Sequence, residues 1–304
     1  MGGWVERESR DVTDFAALPV RPLRRIMPFE RAEKMIGSTV PERTANVTTA
    51  GLLTDMKTGE PFLAYYPLDA DTAAPVREAV QRIKWTSTMR AQTGQRNRSR
   101  TFGMAPRKAM IKRESCRPTW LAMNQLAEHD ALVRLSLDLQ AQLKAFAPAA
   151  FERDAQVMGV VEEEWRLAED SLWTSGIVNK ASALPYHRDR LNFPTWSAMP
   201  VFRRSMTGGH LHLPEYDVTV ECRDGWVVYF PGFEHLHGVT PMQKTAEDGY
   251  RYSVVYYALR GMKDCFTYAM ELGQAHRNRT EREDHGAAEL RGEVSSRLRK
   301  TGDR

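Results

Sequence analysis

Residues 184–192 read LPYHRDRLN and contain the pattern on which the interpretation of the chain depends. His187 and Asp189 are two residues apart, so on a strand both side chains project to the same face. His237 follows further along the chain, in the segment LHGVTP. Two imidazoles and one carboxylate occupy one face of an Fe(II) ion and leave three positions open. The sequence therefore predicts a metal centre held by His187, Asp189 and His237.

The identity of the second imidazole ligand is less sharply defined by the sequence. His235 also lies two residues from His237 and could face the same way, so it is kept as an alternative ligand. We favour His237 because the small Gly238 lets the backbone turn into the next strand. His210 and His212 are expected to be half-exposed strand residues. A kinase catalytic loop around the HRD sequence is not supported, because the glycine-rich loop and DFG motif are missing.

A second group of polar residues lies in the segment YRYSVVYY, residues 250–257. Arg251 and Ser253 are two apart and share one face of the predicted strand. A guanidinium pairs with a carboxylate through two hydrogen bonds, and a hydroxyl can add a third. Inside a β-structure such an arginine needs an acidic partner, because burying an unpaired charge is costly. The partner would be either an internal acid or a bound dicarboxylate.

The chain as a whole has the composition of a globular protein. It has 304 residues with 42% hydrophobic residues and a net charge of +4, and no segment is apolar enough to span a membrane. Its N-terminus lacks the apolar stretch of a secretory signal. The three cysteines, at positions 116, 222 and 265, form no CxxC pair, so free thiols are expected. Together these features favour an intracellular protein, cytoplasmic or nuclear, that is not secreted.

Periodicity predicts an α+β protein in which short strands dominate after residue 185. The predicted elements are a hairpin over residues 48–68, a helix over 74–85, a helical region over 121–151, strands at 154–164 and 173–180, and further strands at 201–202, 211–213, 218–222, 226–230 and 252–259. Many short strands with helices packed outside are typical of a barrel or sandwich. The charged residues 274–304 are expected to form a loose helix or to be disordered.

The strongest charge asymmetry lies between residues 90 and 117, which we interpret as a basic loop. A solvated surface is one explanation for it, and a strip that contacts phosphates is the other. The candidate phosphate-contacting residues are Arg96, Arg98, Arg100, Arg107 and Lys108.

Taken in order, these motifs resemble a known family. Residues 98–269 resemble the 2-oxoglutarate/Fe(II)-dependent dioxygenases, and most closely the TET/JBP family, which oxidises the methyl group of 5-methylcytosine or thymine in DNA. The resemblance rests on RTFG at residues 100–103 followed by Pro106 and Arg107, on the HxDxxN pattern ending at Asn192, and on the strand at 251–257. One departure is Leu259, in a region where TET-type enzymes place a histidine that contacts cytosine.

The resemblance implies a fold, cofactors and a substrate. The fold would be a double-stranded β-helix, a jelly-roll or cupin-like barrel, over residues 93–272, with flanking helices, an N-terminal extension of residues 1–92 and a tail of residues 273–304. His187, Asp189 and His237 would bind Fe(II), Arg251 and Ser253 would hold the cosubstrate 2-oxoglutarate, and O2 would be the oxidant. Asn192 would contact a methyl-bearing pyrimidine in DNA.

Two other functions stay open at this point. One is a 2-oxoglutarate-dependent hydroxylase of a protein side chain or a small molecule, which would need the same iron site. The other is a catalytically inactive β-barrel that binds nucleic acid. The intact set of predicted ligands argues against the second.

Overall fold

The protein is described by a computed structural model that covers residues 17–85, 87–89, 96–108 and 113–290. Its strands are β1 (Val20–Leu23), β2 (Gly51–Asp55), β3 (Pro61–Pro67), β4 (Ser87–Met89), β5 (Arg96–Ala105), β6 (Arg117–Pro118), β7 (Ser175–Lys180), β8 (Ser197–Arg204), β9 (Met206–Gly208), β10 (Leu211–Leu213), β11 (Val218–Val220), β12 (Trp226–Phe230), β13 (Gly238–Val239), β14 (Met242–Lys244) and β15 (Tyr250–Tyr257). Its helices are α1 (Phe29–Glu33), α2 (Ala70–Arg82), α3 (Trp120–Asn124), α4 (Leu126–Phe146), α5 (Pro148–Met158) and α6 (Tyr268–Leu290). The fold is mixed α+β, as the sequence predicts.

The strands form one large sheet and two small ones. The large sheet has ten strands in the order β1-β2-β3-β12-β8-β15-β7-β5-β4, with β6 paired to β5. The small sheets are β11-β10-β13 and β14-β9. Strands from the N-terminal region belong to the large sheet, because β3 pairs with β12 in antiparallel register.

Each face of the large sheet has its own apolar core. On one face, the leucines of α4 predicted to be buried, Leu132, Leu135, Leu139 and Leu143, are at most 1% exposed and pack against the sheet. On the other face, residues of β8 and β12 pack against the small sheet β11-β10-β13. Strand β15 contributes to both cores, because alternate side chains of a strand point to opposite faces.

That alternation directs the polar residues of β15 away from the helices. Tyr252, Val254 and Tyr256 belong to the helical core. Val255 packs against the core beneath the small sheet. Arg251 and Ser253 have the same parity as Val255, so they face the space between the two sheets.

Several predicted elements are confirmed. Residues 48–68 contain the β2–β3 hairpin, and residues 121–151 are helical. The helix predicted at residues 74–85 begins earlier, at Ala70, because the Asp69 carboxylate caps it by accepting from the amides of Asp71 and Thr72. The strand predicted at 173–180 is β7.

Two predicted assignments are wrong. Residues 154–164 are the end of α5 and a 3₁₀ turn rather than a strand. Much of the basic segment predicted as a loop is the strand β5, which pairs with β7 from Arg98 to Gly103. Local composition did not reveal this strand, because it is rich in arginine and its longest pairing is with β7, which lies far away in the sequence. Residues 90–95 and 109–112 lie outside the described residues, as do residues 291–304.

The cysteines also differ from expectation. Cys116 and Cys265 form a disulfide across a sequence separation of 149 residues, and Cys222 is free and buried. The free-thiol prediction is therefore wrong for Cys116 and Cys265. Spacing along the chain could not reveal the pair, because the fold alone brings the segment after β15 beside β6. None of the helices in the described residues has the length and hydrophobicity of a membrane span.

Breaking this disulfide should lower the stability of the protein. A cross-link that closes so long a loop restricts the unfolded chain, and removing a native disulfide typically costs about 2–5 kcal/mol. We expect Cys116→Ser to lower the free energy of unfolding by that amount in urea titrations. Dithiothreitol should destabilise the wild type equally and leave Cys116→Ser unchanged. Equal urea midpoints for wild type and Cys116→Ser, each measured with and without dithiothreitol, would contradict the cross-link.

Candidate metal centre and buried guanidinium

The three predicted ligands come together because two loops pair through their backbones. His187 lies on the segment after β7, and His237 lies between β12 and β13. The two residues exchange backbone hydrogen bonds of 2.8 and 3.0 Å. The amide of Asp189 donates to the carbonyl of Gly232 at 3.0 Å, which fixes the carboxylate beside the same pair. The backbone therefore sets the positions of all three side chains.

The ligand atoms of this cluster are close enough to share one ion. The Asp189 carboxylate oxygens lie 3.7 Å from His187 Nε2 and 3.9 Å from His237 Nε2. One ligand atom from each residue lies within 4.8 Å of the others. His187 and Asp189 retain about a quarter of their side-chain exposure, whereas His237 is buried. The cluster is therefore recessed but open to solvent on one side.

Backbone carbonyls determine which imidazole nitrogens can bind a metal. His187 Nδ1 lies 2.8 Å from the carbonyl of Pro185, and His237 Nδ1 lies 2.9 Å from the carbonyl of His235. A carbonyl only accepts, so each Nδ1 carries a proton, and Nε2 is the nitrogen of each ring that faces Asp189. Burial and the neighbouring His187 lower the pKa of His237 to about 4, so its ring is neutral at pH 7. Neutral imidazoles with free Nε2 atoms are the form that coordinates metals.

Glycine is required next to the cluster. A Cβ at Gly232 would lie 2.6 Å from Asp189 Oδ2 and 3.4 Å from His237 Cε1. Any side chain there would collide with the carboxylate. Glycine at this position therefore lets the loop approach the Asp189 carboxylate closely.

The other histidines are directed elsewhere. His235 packs edge-on against Phe62 and Tyr216, and its Nδ1 lies 3.6 Å from Glu215. The structure therefore groups His237, and not the alternative His235, with the other two predicted ligands. His212 is 2% exposed and contacts the Tyr186 hydroxyl at 2.6 Å, so the prediction of a half-exposed residue is wrong for it.

A buried ionic network holds Arg188, the residue between the predicted ligands His187 and Asp189. Arg188 is fully buried, and its guanidinium binds Glu33 at 2.5 Å, Glu215 at 3.1 Å and the carbonyl of Glu234. Glu215 also accepts from the amide of Leu236 at 2.7 Å and pairs with Arg25. The network thereby joins the His187–Asp189 segment to the loop of His237. Sequence reasoning missed it, although Glu215 closes the segment GGHLHLPE, because its partners are distant in the chain.

Removing one carboxylate from this network should change how stability depends on pH. Burial alone would raise the pKa of Glu215, but contacts with His235 and Arg188 hold it at about 2, against 4.5 normally. A lowered carboxyl pKa stabilises the fold above pH 4.5, and this contribution is lost as the pH falls toward 2. We expect Glu215→Gln to be about 3 kcal/mol less stable at pH 7, with the difference shrinking toward pH 2.

Denaturant titrations at several pH values would measure this difference. The matched control is Glu221→Gln, which breaks only the partly exposed pair with Arg223. Exposed pairs contribute about 0–1 kcal/mol, so this control should remain close to the wild type. A Glu215→Gln deficit that did not change with pH would contradict the linkage.

Arg251 is the least satisfied polar residue of the described core. It is 0% exposed, and its Nε, Nη1 and Nη2 atoms have no hydrogen-bond partner. The internal acid considered from the sequence is therefore not found among the described residues. A Cβ at Gly209 would lie 2.9 Å from Arg251 Nε, so only glycine fits against the guanidinium. Ser253, on the same face of β15, is 5% exposed.

Asn192 lies one turn beyond Asp189. Its amide donates to the carbonyl of Asp189 at 2.9 Å, it forms a β-bridge with Leu259, and it is 7% exposed. The residue is thus held next to the cluster, between the predicted metal centre and the end of β15.

The candidate phosphate contacts on β5 and directly after it occupy different environments. Arg98 lines an open groove of about 590 Å³ together with Lys180, Arg204 and Lys244. Arg100 donates to the carbonyl of Lys84 and stacks on Trp120, and Arg107 pairs with the buried Glu271. Lys108 is exposed, and the side chain of Arg96 lies outside the described residues. Of these residues, Arg98 and Lys108 have charges most accessible to a ligand.

The fold is similar to that of a solved protein. The chain superposes on the structure entitled NgTET1 in complex with 5mC DNA with a TM-score of 0.55 and 18% identity, over 79% of this chain and 91% of that one. At 18% identity this likeness concerns the fold alone. The name NgTET1 refers to the same family, TET, that the sequence motifs resemble.

Two other solved structures overlap less well. An oxidoreductase of the 2OG-Fe(II) oxygenase family from Burkholderia pseudomallei has a TM-score of 0.41, with 17% identity over 66% of this chain and 88% of its own. A Pseudomonas putida prolyl-4-hydroxylase has a TM-score of 0.40, with 15% identity over 66% and 93%. At these scores neither structure supports an argument about this chain. No protein-family model matches the sequence, and no curated protein matches it.

Proposed function

We propose that the protein is an Fe(II)- and 2-oxoglutarate-dependent dioxygenase that hydroxylates the methyl group of a modified pyrimidine in DNA. The observation that carries this proposal is a buried guanidinium without a carboxylate partner among the described residues, in a fold that also brings two histidines and one aspartate together. An unpaired buried charge is very unfavourable. A carboxylate delivered by a cosubstrate removes that penalty.

In this proposal His187, Asp189 and His237 hold Fe(II), because two imidazoles and a carboxylate on one face leave positions for further ligands. Arg251 and Ser253 bind the far carboxylate of 2-oxoglutarate. When bound, the iron, the keto acid and O2 supply the oxidising power for hydroxylation, which no side chain of the protein could supply.

The remaining work is done by residues of the chain itself. The carbonyls of Pro185 and His235 hold the protons on the Nδ1 atoms, so that both Nε2 atoms face the ion. Arg188 and Glu215 fix the two loops. The guanidinium of Arg251 orients the cosubstrate from a dry pocket, where its hydrogen bonds are strongest.

The proposed fold is the double-stranded β-helix, with the small sheet β11-β10-β13 and part of the large sheet as its two walls. The core shared by β8, β10, β11 and β12 supports this arrangement. The proposed division is an N-terminal extension of residues 1–92, a catalytic domain of residues 93–272 and a C-terminal segment of residues 273–304, in which α6 extends to Leu290.

DNA is the proposed substrate for three reasons. The fold is similar to that of NgTET1, whose structure is described as a complex with 5mC DNA. Asn192 lies beside the cluster, where an amide could contact the edge of a base. Arg98 and Lys108 present accessible positive charges for phosphates. 5-Methylcytosine and thymine are both candidates for the base.

The direct test is mass spectrometry of nucleosides. Methylated DNA incubated with enzyme, Fe(II) and 2-oxoglutarate should yield 5-hydroxymethylcytosine, or 5-hydroxymethyluracil if thymine is the substrate. Unchanged nucleosides, together with succinate production and hydroxylation when a peptide or small molecule is supplied, would instead indicate the hydroxylase alternative. Absence of iron binding in anaerobic titrations would indicate the inactive nucleic-acid-binding barrel.

A further inference from the structure

The turn that follows Asp189 exposes a leucine beside the candidate metal centre. The hydrogen bond from the Asn192 amide to the Asp189 carbonyl closes this turn, and Leu191 near its tip is 61% exposed. Polar residues, glycine and proline dominate such turns. Leu191 is thus an exposed apolar side chain two residues from Asp189 of the candidate metal centre.

The turn is braced rather than loose. The Arg260 amide donates to the carbonyl of Leu191 at 3.0 Å, and the Arg260 guanidinium donates to the carbonyl of Arg190. Both contacts come from the segment that directly follows β15. The leucine is therefore held in a defined position before any ligand arrives.

Two positive charges and an aromatic ring adjoin the same turn. The guanidiniums of Arg190 and Arg260 lie 5.9 and 5.5 Å from the ring centre of Phe233. Phe233 directly follows Gly232, whose carbonyl holds the Asp189 amide. We call Arg190, Leu191, Phe233 and Arg260 the rim.

The charges of the rim are unequally compensated. Glu33 pairs with Arg190 at 2.7 Å, whereas Arg260 has no carboxylate partner among the described residues. Glu234, on the same loop as Phe233, is exposed. The rim therefore contains Arg260, which has no carboxylate partner in the described part of the chain, and Arg190, which is paired with Glu33. Its other two side chains, Leu191 and Phe233, are apolar. That combination suits a ligand with both phosphates and flat apolar faces.

We infer that the rim opens double-stranded DNA. Leu191 enters the gap that the target base leaves, and Arg190 and Arg260 hold the phosphates on either side. This inference rests on the proposed function. A methyl group within a stacked duplex cannot reach a recessed metal, so the nucleotide must leave the helix. Apolar side chains inserted between base steps promote such unstacking.

The rim is a different surface from the groove at Arg98. In the β5–β7 register, Arg98 lies opposite Lys180 at one end of β7, and Gly103 lies opposite Ser175 at the other. Tyr257 also pairs with Ser175, and the segment after it contacts Asn192. The two ends of β7 are about 17 Å apart at the usual rise per residue. The proposed phosphate contact at Arg98 is therefore separate from the rim.

The test measures unstacking separately from oxidation. A methylated duplex carries 2-aminopurine next to the target base, and the full-length protein is added with Fe(II) and 2-oxoglutarate without oxygen. Wild type should raise the fluorescence, and Leu191→Ala should lower that signal about tenfold, as for a 1.4 kcal/mol loss. Aerobic oxidation of the duplex should fall equally, and oxidation of the same oligonucleotide as a single strand should stay within about twofold of wild type. The control Leu126→Ala removes a 67% exposed leucine on α4 and should change nothing.

The charges are tested by salt dependence. Arg190→Gln and Arg260→Gln should each lower the salt slope of duplex binding by about 1, and Arg134→Gln, which removes a 78% exposed arginine of α4, should leave it unchanged. Equal signals for wild type and Leu191→Ala, or parallel losses on duplex and single strand, would overturn the inference. If wild type oxidised single strands without raising the fluorescence, the inference would fail and the proposed function would stand. Oxidation of neither DNA form would count against the proposed function itself.

Discussion

Asp189→Ala should abolish iron-dependent production of succinate. The carboxylate is the one negative ligand of the cluster and lies 3.7 and 3.9 Å from the two Nε2 atoms. Changes to residues that merely orient metal ligands cost about 10–100-fold in metal affinity or activity, so loss of a ligand should cost at least ~100-fold. Anaerobic Fe(II) titration and a succinate assay would measure both effects.

A matched control separates loss of the ligand from a general change of charge. Glu234→Ala removes an exposed carboxylate from the loop that carries His237. Its iron affinity and turnover should stay within about twofold of wild type, since exposed charges contribute little. Wild-type turnover in Asp189→Ala would show that the predicted ligand set is wrong.

Arg251→Met should separate cosubstrate binding from folding. The guanidinium has no carboxylate partner in the described structure, so it should bind a dicarboxylate strongly and destabilise the protein when nothing is bound. We expect the KM for 2-oxoglutarate to rise at least ~100-fold, as for loss of a buried pair worth about 3 kcal/mol or more. Without cosubstrate, Arg251→Met should be at least as stable as wild type.

The neighbouring arginine provides the comparison. Arg203 pairs with Arg251 in the β8–β15 register, but its guanidinium donates to the carbonyls of Gly208, Met206 and Cys222. Arg203→Met removes those hydrogen bonds and should destabilise the protein, unlike Arg251→Met. 2-Oxoglutarate should raise the melting temperature of wild type but not that of Arg251→Met. A strongly destabilised Arg251→Met would mean that Arg251 is structural.

The parts of the site that could be predicted from sequence are those with local signals. His187 and Asp189 share a face because they are two residues apart, and the parity of Arg251 and Ser253 follows from the same rule. The stripe of leucines in α4 has a helical period that the burial confirms. Each of these predictions uses residues close together in the chain.

Long-range features escaped prediction for a common reason. The Cys116–Cys265 disulfide and the pairing of Arg188 with Glu33 and Glu215 join segments that only the fold brings together. The strand β5 was hidden because its charge suggested a loop, and because β7, with which it forms its longest pairing, lies beyond three helices in the sequence. The sequence favoured His237 over His235 because of Gly238, but it did not reveal that His235 lies against Glu215.

The most direct test of the central claim is an anaerobic absorption titration with Fe(II) and 2-oxoglutarate. A keto acid chelated to ferrous iron gives a charge-transfer band in the visible range, so the band reports the ion and the cosubstrate together. The account predicts the band in wild type. Asp189→Ala should lose both iron binding and the band. Arg251→Met should still bind iron but should show no band at a cosubstrate concentration that saturates wild type. A wild type without the band, or a band of wild-type intensity in both variants, would contradict it.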